Sequence, residues 1–124
     1  MKRLVIARDD IPEWDYGDVT IKKFSFGGKM RISGLVNTTS VNKDQVVFKE
    51  RDINNLEISV TSLGEGVVSV KDKDNYEFVI KPESSFEDKK NFFSGDNISF
   101  EAGMYLLTQV KDFNKGVTDE EKKN

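Results

Sequence analysis

Six residues, Asp72-Lys73-Asp74-Asn75-Tyr76-Glu77, open like a calcium-binding loop, with carboxylates at the first and third positions. Such a loop needs an oxygen ligand at the fifth position and a glycine at the sixth to turn sharply. Here those places hold Tyr76 and Glu77, so chelation is incomplete and a hairpin turn is the better reading. Gly64-Glu65-Gly66 could cradle a phosphate, but no Lys-Ser/Thr pair follows at the required spacing. It reads as a break or a turn. Asp9-Asp10 and Glu87-Asp88 are paired carboxylates, yet acid–base work needs two groups with separated pKa values in a cleft. The chain has no His and no Cys, so a Ser-His-Asp triad cannot be assembled and thiolate chemistry is excluded. No catalytic residue, metal site or cofactor site is expected, and the chain is not expected to be an enzyme.

What remains is recognition. Phe92 and Phe93, the run Met104-Tyr105-Leu106-Leu107, and Trp14-Asp15-Tyr16 are of the types that concentrate in protein interfaces. Phe92, Phe93, Phe100, Met104, Tyr105 and Leu107 are the candidate partner-binding residues. The competing role for each is core packing, because only 36% of the chain is hydrophobic and nine Phe must supply much of the buried area.

These residues have to be positioned by one small domain. A chain of 124 residues has room for a single core, placed here over 1–116, with 117–124 as a charged tail expected to be disordered. Net charge is −3 with acidic and basic residues interspersed, which gives no concentrated positive field for nucleic acid. Lys22, Lys23, Lys29 and Arg31 flank Phe24 and Phe26, but alternating exposed charges on a strand and turn explain them. The apolar run at the start ends at Arg8, too short for a signal peptide, and no run approaches the ~20 residues that span a bilayer. No membrane partner and a cytoplasmic location follow as expectations. The sequons at Asn37 and Asn97 then carry no weight.

The expected fold is α+β: a small N-terminal β-strand or hairpin portion and a mainly helical C-terminal half. Leu4–Ala7 and the alternating Val19–Phe26 read as strands, the latter ended by Gly27-Gly28. Lys29–Val36 has roughly helical spacing broken by Gly34. Asn37-Thr38-Thr39-Ser40 reads as a loop, and Val46-Val47-Phe48 as a strand or a helix lead-in. Ile53 to Val70 fits two patterns. Ile53, Leu56, Val60, Leu63 and Val67 have helical steps, while Leu56, Ile58, Val60, a Gly64–Gly66 turn, Val68 and Val70 have strand steps. Asp72–Asn75 reads as the turn of a hairpin joining Val67–Val70 to Tyr76–Ile80. Ser85 is placed to cap a short helix closed by Gly95. A second helix should run from Ser99 to about Phe113, with Ala102, Leu106, Val110 and Phe113 on one face and Asn114 and Gly116 as its stop.

Three stretches resemble the tail assembly chaperones of long-tailed bacteriophages and archaeal tailed viruses. The first is Trp14 to Arg31, a strand leading into Phe24-Ser25-Phe26-Gly27-Gly28-Lys29. The second is Phe86 to Asn114, a short helix and link followed by Glu101-Ala102-Gly103-Met104-Tyr105-Leu106. The third is the charged end Thr118 to Asn124. Together they cover roughly half the chain, and the centre departs from the family, which has a cleaner helix where this chain has Ile53–Val70. The resemblance favours helix there. It implies a non-catalytic protein that binds the tape-measure protein, keeps its apolar helices soluble and helps recruit tail-tube subunits; a nucleic acid partner is already disfavoured by the interspersed charge. Self-association into a homo-oligomer is compatible with it. It also implies a longer frameshifted product, for which Lys122-Lys123-Asn124 can be encoded by an adenine run. The rival readings are a structural virion component, such as a tail-completion or head–tail joining protein, and a small regulatory nucleic-acid-binding factor.

Overall fold

The computed structural model describes residues 2–41 and 48–123, with side chains over 2–35 and 56–115. The elements are β1 (Arg3–Ile6), a 3-10 turn (Arg8–Asp10), β2 (Val19–Lys22), α1 (Phe26–Val41), α2 (Phe48–Gly66), β3 (Val67–Lys71), β4 (Phe78–Ile80), α3 (Phe86–Ser94) and α4 (Phe100–Lys123). The strands form one antiparallel sheet in chain order, and the fold is α+β. In register across all four strands run Ile6, Val19, Val70 and Ile80, each buried. β-branched side chains in such a row pack well on a pleated surface, which explains why these short strands pair. Ala102, Leu106 and Val110 of α4, at helical spacing and fully buried, close this face into one core with Leu63 and Phe93.

Several elements differ from the sequence reading. β2 stops at Lys22 rather than Phe26, because the Ser25 hydroxyl accepts from Gly28 N–H at 3.0 Å and starts α1 there. Gly27 and Gly28 therefore stand in the first turn of a helix instead of ending a strand. A Cβ on Gly28 would lie 3.1 Å from the Glu65 carboxyl carbon, so glycine lets α1 approach α2. α1 also carries the polar stretch Asn37-Thr38-Thr39-Ser40, read as a loop, on to Val41. Asn, Thr and Ser each cost only a fraction of a kcal/mol within a formed helix. Of Val46-Val47-Phe48, the first two lie outside the described residues, and Phe48 opens α2.

The Ile53–Val70 ambiguity resolves with each pattern holding half. The helix runs to Gly66 and a strand begins at Val67. Gly64-Glu65-Gly66 is not a turn. A Cβ on Gly64 would meet Phe86 of α3 at 2.9 Å, and one on Gly66 would meet Val110 of α4 at 2.5 Å. These glycines admit neighbouring helices. The buried Ser62 is accommodated by donating to the Ile58 carbonyl at 2.8 Å.

The hairpin between β3 and β4 is present. The Asp72 carboxylate accepts from Tyr76 N–H at 3.0 Å, and Asn75 takes φ 64°, a left-handed conformation that Asn tolerates. α3 is capped as expected, with Ser85 Oγ accepting from Asp88 N–H at 3.1 Å. Ser85→Ala should lower stability by about 1 kcal/mol in chemical denaturation. α4 does not stop at Asn114 or Gly116, but is helical to Lys123. Asn114 instead ties the helix down: its amide donates to the Val110 carbonyl at 2.8 Å, and its oxygen accepts from Phe24 N–H at 2.8 Å. Lys23 donates beside it to the Phe113 carbonyl.

Lys89 is buried on α3, at 7% exposure. Burial first, then the Lys22 charge, lowers its pKa; Glu65 acts in the opposite sense, and Arg3 adds to the lowering. The folded chain thus holds this proton less tightly than the unfolded chain. Stability should rise with pH between the lowered value and the ordinary 10.5. Lys89→Met should raise Tm at pH 7 by a few degrees and flatten that slope in thermal melts at stepped pH.

Candidate functional site

Where α2, the end of α3 and the start of α4 meet, the helices leave an open apolar groove of about 460 Å³. Leu56, Val60 and Leu63 come from successive turns of α2. Phe93 comes from α3, and Phe100, Met104 and Leu107 form the α4 side. The walls differ in exposure. Val60, Leu63, Phe93 and Leu107 are buried and belong to the floor, whereas Leu56, Phe100 and Met104 are 59%, 77% and 45% exposed along the rim. A rim of leucine, phenylalanine and methionine side chains over a packed floor suits helix-in-groove recognition.

The groove's shape follows from α4's start. Ser99 caps it, its hydroxyl accepting from Ala102 N–H at 3.1 Å. That cap aims Phe100 and Met104, four residues apart, along one side of the helix, while Ala102 and Leu106 face the sheet. An ion pair between Lys90 and Glu57 joins α3 to α2. The hydrogen bond to Glu57 holds the Lys90 pKa above its ordinary value.

The structure brings together Phe93, Phe100, Met104 and Leu107 of the six candidate residues. Phe92 and Tyr105 do not line the groove; both are half-buried against the core. Phe92 packs edge-on to Tyr16 at 5.3 Å and to Phe93 at 5.1 Å, so it is a structural ring. The α2 wall was not among the candidates. Its signal was the helical spacing of Leu56, Val60 and Leu63, which competed with a strand pattern over the same residues.

A second hollow, about 440 Å³, adjoins the groove through Ile98 and Ser99, which line both. Glu13, Trp14, Asp15, Tyr16, Asp96 and Asn97 complete it, and its lining contains no Lys or Arg. It is stitched in place by three bonds: Tyr16 OH donates to the Asn97 carbonyl at 3.1 Å, Ser99 OH to the Glu13 carbonyl at 3.3 Å, and Trp14 Nε1–H to the Gly17 carbonyl at 2.8 Å. The Trp14 and Tyr16 rings meet edge-on at 5.0 Å.

Among the described residues no helix is long and apolar enough to cross a membrane. Comparison with protein-family models, curated proteins and solved structures found no match.

Proposed function

We propose that this chain is a tail assembly chaperone of the kind that serves long-tailed bacteriophages and archaeal tailed viruses. In this reading it works without catalysis in the host cytoplasm. It shields apolar helices of the tape-measure protein and helps bring tail-tube subunits to them. The observation that carries the reading is the preformed groove, with Phe100, Met104 and Leu56 exposed along its rim. A groove of about 460 Å³ has room for several apolar anchors from one face of a partner helix. Each anchor taken from water contributes about 1.5–3 kcal/mol, before the cost of ordering the partner. An open groove favours exchange: the partner can be released once the tail tube covers it.

Co-expression with the tape-measure protein tests this. The chain should move that protein from the insoluble to the soluble fraction and be absent from finished particles. Retention in purified particles at fixed stoichiometry would instead identify a structural virion component. Salt-sensitive retardation of DNA or RNA would identify a nucleic-acid-binding factor.

A further inference from the structure

The groove and the acidic hollow are two halves of one surface. Ile98 and Ser99 belong to both, so a helix lying along Leu56, Phe100 and Met104 has one end directed at Glu13, Asp15 and Asp96. All three carboxylates are exposed. Among the described residues the ion pairs are Arg8–Asp9, Arg31–Glu65 and Lys90–Glu57, and none involves the hollow. The N-terminus of α4 contributes only about half a positive charge there, so three carboxylates leave the hollow net negative. Its walls add Trp14 and Tyr16, rings of the type whose faces attract cations.

We infer that the groove's occupant is an amphipathic helix bearing a lysine or arginine at the end of its apolar face, and that the hollow receives this cation. The inference rests on the groove being the partner site and adds the partner's charge and direction. The apolar groove supplies the contact area, and the acidic end fixes which way the helix lies, since the reverse orientation takes its cation away from the carboxylates. Electrostatic complementarity of this kind acts mainly on orientation and association rate. The stitched loop fixes the backbone that carries these carboxylates before the partner arrives.

The test uses the intact chain and synthetic amphipathic helical peptides with one apolar face. One pair carries two lysines at either end of the face, and a matched pair carries two glutamates, with affinity measured by calorimetry. A lysine peptide should bind about tenfold more tightly than its glutamate counterpart at low salt. That preference should vanish in about 1 M salt, where the screening length is ~3 Å. It should also vanish in Asp15→Asn/Asp96→Asn, while the glutamate peptide's affinity stays unchanged. Met104→Glu should weaken every peptide. Equal binding of lysine and glutamate peptides would overturn the inference and leave the groove intact as a partner site. Absence of binding by all peptides would overturn both. A lysine preference that survives in Asp15→Asn/Asp96→Asn would assign the attraction to the protein's net charge of −3 and overturn the inference.

Discussion

Met104→Glu is expected to abolish the proposed solubilisation of the tape-measure protein while leaving the circular dichroism spectrum and Tm essentially unchanged. Met104 is 45% exposed, so a glutamate at that position points into water in the free chain and costs the fold little. In the proposed complex the same carboxylate has to enter an apolar groove against Leu56, Phe100 and Leu107. Burying an unpaired charge costs several kcal/mol, which corresponds to a loss of affinity of more than about 100-fold. Met30→Glu is the control. Met30 is 55% exposed on α1 and outside the groove, so the same chemical change there should leave partner binding intact. Equal loss in both variants would show that overall apolar exposure, not the groove, holds the partner.

Leu106→Ala is expected to have the largest effect on stability, about 3 kcal/mol within the usual range of 2–5 for a buried leucine. Leu106 is fully buried and stands with Ala102 and Val110 in the row that joins α4 to the sheet. A domain of this size has roughly 5–15 kcal/mol in total, so the loss should lower Tm by about 10 °C. Urea denaturation should show a lower midpoint with an unchanged slope. A loss under about 1 kcal/mol would mean that α4 does not close the core. Leu107, one residue on, also lines the groove, so its truncation should weaken both folding and binding. Leu106 and Met104 thus separate the helix's two sides.

Much of the fold was readable where one periodicity acted alone. β2's alternating Val19 and Ile21, the Asp72–Asn75 turn and the Ser85 cap each carry a local signal that tertiary packing reinforces. Reading failed where a residue's role is set by a distant neighbour. Gly64 and Gly66 look like a turn, yet they exist to let Phe86 and Val110 approach α2. Gly28 repeats this beside Glu65. Asn114 resembles a helix stop, but its side chain is engaged by Val110 and Phe24. Half of the candidate surface was accessible from α4's amphipathic pattern. The α2 wall was not, because β-branched residues in Ile58–Val68 supported a strand as well as a helix. The acidic hollow was beyond reach too: Glu13 and Asp96 are far apart in sequence and meet only because the Trp14 loop bonds to the α3–α4 link.

The central claim is that the partner lies in the α2–α4 groove, and hydrogen–deuterium exchange on the intact chain with and without the proposed partner, the tape-measure protein, tests it most directly. Helix amides that cover a binding groove open less often when it is filled. The account predicts added protection over residues 56–63 and 98–107, with little change in β1 or the β3–β4 hairpin. Protection on the sheet strands with none over residues 98–107 would contradict it.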